Sequence, residues 1–265
     1  MMKAQGKMID QSIKRIIRNS FFYRAYHRHL IIKNLKNWSI HDQAMLEFYS
    51  QFVSSDKLCF DVGANVGNRV KIFLKLQANV VAIEPQNECV QILKRVFGRN
   101  RHLNIIQKAL GEHEGDAEIM ISNANTLSSL SPAWVEAVKK SGRFSDYLWD
   151  KRQKVRLTTL DSLVKQYGTP DFIKIDVEGF EYEVIRGLSQ PIPLVSLEFV
   201  PERIGPTLNC IDRLRSLGEI RLNYSVSESM QFSLETWVGP EEMKGLLSNM
   251  SGGSELFGDV YVKSI

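Results

Sequence analysis

One stretch constrains the fold more than any other: an apolar segment that ends in an acid and two closely spaced glycines. Residues 58–62 (LCFDV) have the character of a buried strand, and residues 68–77, after the glycines, have helical spacing. Gly63 and Gly67 permit a tight turn and a close approach of the backbone to a ligand. This order of strand, glycine loop and helix is typical of parallel sheets that bind ligands beyond their strand ends. We therefore expect a binding loop at residues 63–67.

Strand-like and helix-like segments alternate along most of the chain. The predicted strands are 58–62, 79–84, 104–110, 117–121, 154–159, 171–176, 193–200, 221–226 and 259–263, and the predicted helices are 41–53, 68–77, 85–97, 132–140, 161–167, 181–188 and 210–217. This alternation predicts an α/β fold with a doubly wound, mostly parallel sheet. Residues 122–151 interrupt it with a polar stretch that contains Trp134, Phe144, Tyr147 and Trp149. Loops of this length in compact domains are usually functional, so we expect a lid there.

The composition is that of an ordinary folded protein. Of the 265 residues, 43% are hydrophobic and 24% are charged. The sequence has neither a signal-peptide pattern nor an apolar stretch long enough to span a membrane, so we expect a cytoplasmic protein. Cys59, Cys89 and Cys210 lie far apart without zinc-site or disulfide spacing, and buried free thiols are expected.

The formal net charge of +4 is unevenly distributed. Residues 1–40 contain nine basic residues and the single acid Asp10, and apolar residues approximate helical spacing between residues 9 and 22. This pattern has two interpretations: an amphipathic helix that contacts an anionic membrane surface or acidic substrate, or a helix packed on the main domain. We predict a basic helical extension at 1–53 and the main domain at 54–265.

Acids follow the first two predicted strands. Asp61 precedes the glycine loop, which lacks both the phosphate-binding Lys-Ser/Thr pair and the full dinucleotide fingerprint. An acid there has the wrong charge for a pyrophosphate and suits an amino group or another cation. Glu84 ends the second strand, where an acid can accept hydrogen bonds from ribose hydroxyls. Together these acids indicate S-adenosyl-L-methionine; the alternative is that both cap the helices that follow.

Five blocks of sequence occur in an order typical of one known family. They are "FDVGANVGN", "AIEPQNECVQILK", "IIQKALGEHEGDAEI", "LTTLDSLVKQYG" and "PDFIKIDVEGFEYEVIRGL". Residues 56–200 thus resemble the FkbM family of S-adenosylmethionine-dependent methyltransferases. The resemblance implies a class I, Rossmann-like methyltransferase fold with a seven-stranded sheet whose last strand is antiparallel, a place that "GDVYVKSI" suits. Asn68 and Arg69 depart from the aromatic or small polar residues that the family often has there.

The resemblance also implies residue roles. Asp61, Gly63, Asn65 and Gly67 would hold the methionine part of the cofactor, and Glu84 its ribose. Residues 108–110, which begin with Lys108 and Ala109, would lie near the adenine. Asn65 as a turn residue and Lys108 as a solvated surface charge remain open alternatives.

The fourth strand of the main sheet is predicted to end in a charged turn. Strand alternation places Lys174 and Asp176 on the same side, and the turn brings Glu178 toward them. Methylation of a hydroxyl requires loss of its proton, to a carboxylate base or with the help of a divalent cation held by carboxylates. Asp176 or Glu178 is the expected base or metal ligand, and Glu198 on the adjacent strand is a third candidate. Alternatively, Asp176 and Glu178 cap the next helix and Lys174 pairs with one of them.

These inferences predict an O-methyltransferase. The resemblance implies an acceptor hydroxyl on a sugar or natural product, and we expect a sugar, glycan or glycolipid. A polyketide, peptide or other small metabolite is an alternative acceptor, and a non-catalytic nucleoside-binding scaffold is an alternative of another class. Nucleic acid is not expected as a partner, because the basic residues cluster outside the predicted catalytic mouth.

Overall fold

The computed structural model describes residues 21–144, 147–250 and 256–265, with the side chains from residue 25 onward. The chain divides into two compact units, Met1–Ser39 and Ile40–Ile265. In the first unit, helix α1 spans Phe21–Lys36. The amphipathic pattern expected at residues 9–22 lies almost entirely outside the described residues.

The second unit alternates strands and helices. Its elements, in chain order, are α2 (Ile40–Tyr49), β1 (Leu58–Val62), α3 (Asn68–Lys75), β2 (Asn79–Ile83), α4 (Asn87–Phe97), β3 (Leu103–Ile106), β4 (Ala109–Leu110), β5 (Gly115–Ile121), a 3₁₀ turn (Asn125–Leu127), α5 (Pro132–Lys140), β6 (Lys151–Thr158), α6 (Leu160–Tyr167), β7 (Phe172–Ile175), α7 (Glu181–Arg186), β8 (Leu194–Phe199), a 3₁₀ turn (Pro201–Arg203), α8 (Ile204–Arg215), β9 (Ile220–Val226), α9 (Pro240–Ser248) and β10 (Gly258–Ser264).

The main sheet has seven strands in the order β3-β2-β1-β7-β8-β10-β9. Strand β10 is antiparallel to both of its neighbours, and the other pairs are parallel. This arrangement confirms the predicted class I methyltransferase fold, including the antiparallel last strand. The strand order reverses between β1 and β7, where such sheets form a crevice for ligands.

The division of the chain differs from the predicted boundary at residue 53. Met45, Phe48 and Tyr49 of α2 are buried in the same apolar cluster as Phe73 of α3 and Phe172 of β7. Helix α2 therefore belongs to the core of the larger unit, and the chain divides after Ser39 instead. The basic composition that suggested a longer extension ends before α2 begins.

A second sheet, in the order β4-β6-β5, accounts for the irregular middle of the chain. The strand predicted at 104–110 is in fact two strands: β3 pairs with β2 in the main sheet, and β4 pairs with β6 in the small one. The expected lid is also more ordered than predicted, because Trp134 and Trp149 are buried in a satellite core beside Leu127. Helix α9 was not predicted.

The remaining expectations concern cysteines and membrane spans. Cys59, Cys89 and Cys210 are buried free thiols, as predicted. Among the helices of the described ranges, none is both long and apolar enough to cross a bilayer.

Candidate active site

A cavity of about 560 Å³ lies in the second unit and contains nearly all of the predicted site residues. The predicted residues that line it are Asp61, Gly63, Asn65, Glu84, Lys108, Ala109, Lys174, Asp176, Glu178 and Glu198. Of the predicted set, Gly67 alone is absent from the cavity wall. Residues more than 130 positions apart in the sequence meet at this cavity because β1, β2, β7 and β8 end at the same edge of the sheet.

The two loop glycines have different roles. Gly63 has a φ of +84°, and a Cβ there would lie 1.8 Å from the carbonyl oxygen of Asp176. Gly67 has a φ of +101°, and its missing side chain leaves room for Leu93 and Phe97 of α4. Gly63 thus lets the loop lie against the end of β7, whereas Gly67 lets the loop pack on a neighbouring helix.

Asp61 is a buried acid whose binding capacity is incompletely used. Its side chain is 2% exposed, and its Oδ2 has no hydrogen-bond partner within the described part of the chain. Burial raises the pKa of Asp61 to about 7, although the positive charges of Arg69 and Lys174 oppose the rise. A buried carboxylate oxygen without a partner is costly, which favours a ligand that supplies a donor.

Glu84 holds the backbone of the binding loop. Its Oε2 accepts a hydrogen bond from the Asn65 N–H at 2.8 Å, and its Oε1 accepts one from the Gln86 N–H at 2.7 Å. Burial raises the pKa of Glu84 to about 7, despite these two hydrogen bonds. Glu84 therefore bonds the N–H of Gln86, the residue that precedes α4, as the helix-capping alternative partly predicted. Each of its carboxylate oxygens can still accept a further hydrogen bond.

Gln86 connects Glu84 to residues 122–131, which we call the wall segment. The Gln86 Nε2 donates to the carbonyl of Asn125 at 3.0 Å, and the hydroxyl of Ser128 donates to the Gln86 Oε1 at 2.8 Å. The next residue, Ser129, anchors the wall segment to the acceptor side of the cavity, because its hydroxyl donates to the carbonyl of Glu178 at 2.6 Å. Sequence reasoning missed Gln86 and Ser129, because only these long-range contacts reveal what they do.

Lys174 is a buried ammonium group that is paired with two carboxylates. Its side chain is 1% exposed, and its Nζ lies 2.7 Å from Asp259 Oδ1 and 3.4 Å from Asp176 Oδ2. Burial lowers the pKa of Lys174, but the charges of these two acids outweigh that effect and hold the pKa well above its usual value. Asp259 on β10 was missed by sequence reasoning, although a lone acid in the apolar run of a last strand was a visible signal.

Asp176, Glu178 and Glu198 form a cluster in which carboxylate oxygens from all three lie within 4.8 Å of one another. Burial and the neighbouring acids raise the pKa values of Glu178 and Glu198 well above the usual range. Three oxygens at this spacing can bind a divalent cation, or they can share protons when no cation is present.

The turn that carries Glu178 is held by Glu181, which is not one of the three clustered acids. Glu178 has a φ of +55°, in the left-handed region. Glu181 Oε1 accepts hydrogen bonds at 3.1 Å from the backbone N–H groups of Val177 and Gly179. Glu181 therefore holds the turn that precedes α7, whose N-cap residue makes no side-chain capping hydrogen bond, and Asp176 and Glu178 both line the cavity.

Comparisons with known proteins identify the family of the chain. The profile of the Methyltransferase FkbM domain matches residues 61–221. Methyltransferase sdnD of Sordaria araneosa is 29% identical over 51% of this chain and 62% of its own length, so this chain spans less than two thirds of that relative. Hexuronic acid methyltransferase AglP of Haloferax volcanii is 24% identical over 72% of this chain and 75% of its own length.

Solved structures give weaker matches. A SAM-dependent O-methyltransferase from Thermotoga maritima has a TM-score of 0.41 at 12% identity, over 88% of this chain and 70% of that one. A TehB-like SAM-dependent methyltransferase from Corynebacterium glutamicum has a TM-score of 0.43 at 11% identity, over 91% and 97%. The family profile, by contrast, covers more than half of the sequence, from the acid before the glycine loop to β9. The chain therefore belongs to the FkbM family of methyltransferases.

Proposed function

We propose that this methyltransferase takes its methyl group from S-adenosyl-L-methionine and transfers it to a hydroxyl group of a sugar, a glycan or a glycolipid. One observation carries the proposal: the expected cofactor residues and the three clustered carboxylates line the same cavity. A donor near the ends of β1 and β2 and an acceptor near the ends of β7 and β8 would then meet in one space. Such positioning accounts for a large part of the rate of a two-substrate reaction.

The residues at the ends of β1 and β2 fit S-adenosyl-L-methionine, which when bound supplies an electrophilic methyl group on a positively charged sulfur. The unpartnered oxygen of Asp61 suits the ammonium group of the methionine part. Glu84 has acceptor capacity left for the ribose hydroxyls. Lys108 and Ala109, which follow the next strand, line the end of the cavity proposed for the adenine.

Asp176 is the proposed general base. The oxygen of an alcohol must lose its proton as it attacks the methyl carbon, and a carboxylate within hydrogen-bond reach can accept that proton. Lys174 touches Asp176 and fixes its orientation. The pKa values of Glu178 and Glu198 are raised by burial and by the neighbouring acids, which favours their protonated forms, and a protonated carboxyl group can donate a hydrogen bond to another hydroxyl of the acceptor.

A divalent cation is the alternative use of the same cluster. Oxygen ligands from Asp176, Glu178 and Glu198 suit a hard cation such as Mg²⁺, which would keep all three carboxyl groups deprotonated. The two uses of the cluster differ in their response to a chelator.

The choice of acceptor has separate support. One relative, which aligns over 72% of this chain, is named for the methylation of a hexuronic acid, which is a sugar derivative. The cavity also combines clustered carboxylates with aromatic side chains such as Phe144, Tyr147 and Phe257. Hydrogen-bonding groups beside apolar ring faces suit a polyhydroxylated ring, whose edges are polar and whose faces carry C–H groups.

The basic region at residues 1–40 is proposed to contact a membrane surface or an anionic part of the acceptor. Its net charge of +8 contrasts with the net charge of −4 of the remaining residues. Binding to vesicles that contain anionic lipid, measured at rising salt concentration, tests this part of the proposal. Binding that does not weaken with salt, or full activity after deletion of residues 1–40, would contradict it.

The first experiment is a calorimetric titration of S-adenosylhomocysteine into the full-length protein, with Glu84→Ala and the matched control Glu88→Ala. Glu88 is an exposed acid at the start of α4. We expect binding to the wild-type protein, binding weakened about tenfold or more in Glu84→Ala, and unchanged binding in Glu88→Ala.

A screen for transfer of labelled methyl to hydroxylated glycans follows, with and without a chelator. Transfer to a polyketide or a peptide in place of every glycan would overturn the acceptor class while preserving the enzyme. Binding of S-adenosylhomocysteine without transfer to any acceptor would favour the scaffold, and absence of binding to the wild-type protein would overturn the proposed cofactor.

A further inference from the structure

The proposed cofactor leaves one charged group without a partner, and the inference made here rests on that proposed function. The methionine part of the cofactor carries an ammonium and a carboxylate. Asp61 suits the ammonium, but an acid cannot stabilise the carboxylate, which needs a cationic donor when it leaves water. We propose that Arg69, which opens helix α3 directly after the binding loop, binds this carboxylate.

Two of the cavity's basic side chains are already engaged. Basic residues of the described cavity wall are Arg69, Lys108, Arg143 and Lys174. The ammonium of Lys174 is held by Asp259 and Asp176. Arg143 donates from Nε and Nη2 to the two oxygens of Glu202 at 2.9 and 3.0 Å, and its Nη2 also donates to the carbonyl of Leu256. Such a two-pronged pair is the geometry in which a guanidinium binds a carboxylate most strongly.

Lys108 lies at the wrong end of the cavity. It follows β3, the edge strand, whereas Asp61 lies on β1, two strands away. Neighbouring strands are about 4.8 Å apart, so these positions are separated by roughly 10 Å across the sheet. Lys108 therefore belongs to the end proposed for the adenine, and Arg69 remains for the methionine end.

Arg69 is oriented by its neighbours but keeps donors to spare. Its Nε donates to the hydroxyl of Tyr49 at 3.2 Å, its Nη1 contacts the sulfur of Met45 at 3.3 Å, and its Nη2 donates to Glu228 Oε1 at 3.2 Å. A guanidinium has five N–H groups, so these contacts with described residues leave one on each terminal nitrogen. A guanidinium can bind one carboxylate through its two terminal nitrogens, each of which keeps an N–H here.

The contact between Arg69 and Glu228 is weaker than the pair made by Arg143. One oxygen of Glu228 contacts Arg69, and the other lies 2.6 Å from His41 Nε2, so Arg69 receives a single contact. The side chain of Glu228 is 47% exposed, which screens its charge. Arg69 is also the charge that most strongly opposes the burial-driven rise in the pKa of Asp61, which agrees with a place beside that acid.

The role proposed for Arg69 is not among those that the family resemblance implies. The position of Arg69 is one where the sequence departs from the aromatic or small polar residues that the resemblance implies. The carboxylate partner is therefore assigned from the charges of this cavity alone.

The test compares two ligands by calorimetry on the full-length protein: S-adenosylhomocysteine, and the same molecule without its α-carboxylate. We expect the wild-type protein to bind S-adenosylhomocysteine about tenfold or more tightly than the decarboxylated analogue. Arg69→Met should abolish this preference by weakening only S-adenosylhomocysteine, and Arg69→Lys should retain part of it. Retained affinity for the analogue would show that Arg69→Met is folded.

Arg99→Met, at an exposed position after α4, is the matched control and should keep the wild-type preference. Equal affinities of the wild-type protein for both ligands would overturn the inference while leaving the proposed cofactor intact. A loss of affinity for both ligands alike in Arg69→Met would also overturn it. Binding of neither ligand to the wild-type protein would instead overturn the proposed function, and this inference with it.

Discussion

The two halves of the cavity are built in different ways. The cofactor half comprises Asp61, Gly63, Asn65 and Glu84, and the acceptor half comprises Lys174, Asp176, Glu178 and Glu198. The Asn65–Glu84 hydrogen bond joins residues 19 apart in the sequence. Glu181 holds the turn of Glu178 locally, but two other contacts of the acceptor half join residues much further apart: 49 for Ser129 and Glu178, and 85 for Lys174 and Asp259.

This difference follows from what each half must do. The cofactor half is proposed to bind one fixed ligand, and two consecutive strand–loop units suffice to position its groups. The acceptor half combines residues from β7, β8, β10 and the wall segment, so a change in any of them reshapes it. We therefore expect substitutions to separate cofactor affinity from turnover, and the predictions below test that separation.

Asp176→Asn should have the largest effect on turnover. If Asp176 accepts the hydroxyl proton, replacing its carboxylate with an amide should lower kcat by about 10²- to 10⁴-fold. The affinity of the variant for S-adenosylhomocysteine should stay within about twofold of the wild-type value. Single-turnover transfer of labelled methyl measures the first quantity and calorimetry the second. Asp116→Asn, at a strongly exposed position on β5, is the control and should change neither. Undiminished transfer by Asp176→Asn would remove the catalytic role.

Gly63→Ala and Gly142→Ala compare two glycines with nearly equal φ values, +84° and +85°. A Cβ at position 63 would lie 1.8 Å from the carbonyl oxygen of Asp176, whereas at 142 it meets no described atom within 4 Å. We expect Gly142→Ala to lower the free energy of unfolding by about 1 kcal/mol, from backbone strain alone. Gly63→Ala should lower it by about 3 kcal/mol or more and abolish cofactor binding. Urea unfolding measures both, and equal losses would contradict the close packing at Gly63.

The same difference explains how much of the molecule the sequence predicts. Strands β1, β2, β7 and β8 are apolar runs followed by local signals, so their order and the acids at their ends are predictable. The division of the 104–110 region into β3 and β4 is not, because it depends on pairing with β6, more than 40 residues later. Helix α9 has a local start signal, Pro240 followed by two acids in its first turn, but Gly245 weakens its interior and its packing against α8 and β9 stabilises it.

The site shows the same limit. Asp61 and Glu84 are predictable because each belongs to a motif that lies within a few residues. The roles of Asp259 and Ser129 depend on which distant side chain or carbonyl they contact in the folded chain. The hydrogen bonds by which Glu181 holds the turn of Glu178 depend on a side-chain conformation that spacing alone does not specify.

A pH titration should affect the cofactor half in a defined direction. In the free protein the pKa of Asp61 is raised to about 7, and the ammonium of the ligand favours the charged carboxylate. Binding below pH 7 must therefore release a proton, and affinity for S-adenosylhomocysteine should fall up to about tenfold for each pH unit below that value. The raised pKa also means that the folded state binds the extra proton, so this group's contribution to stability declines as pH rises from about 4 to 7.

Calorimetry at pH 6 in two buffers of different ionisation enthalpy measures the proton release directly. The apparent binding enthalpy should differ between the buffers at pH 6 and converge at pH 8.5. Asp61→Asn should reduce the difference at pH 6. Buffer-independent enthalpies at pH 6 would show that Asp61 is already charged in the free protein.

The smallest effects should come from Ser129→Ala and Gln86→Ala, which release two different anchors of the wall segment, one to Glu178 and one to Gln86. Ser129→Ala removes a buried hydrogen bond to the carbonyl of Glu178, at a cost of about 1 to 2 kcal/mol in unfolding free energy. It should raise the KM for the acceptor a few-fold and leave the affinity for S-adenosylhomocysteine unchanged. Gln86→Ala keeps the backbone N–H that donates to Glu84 but removes the side-chain hydrogen bonds to Asn125 and Ser128, which hold the wall segment beside Glu84. It should therefore have the reverse effect. If each substitution changed both constants equally, the wall segment would couple the two halves rigidly, and the division of the cavity would describe sequence distance only.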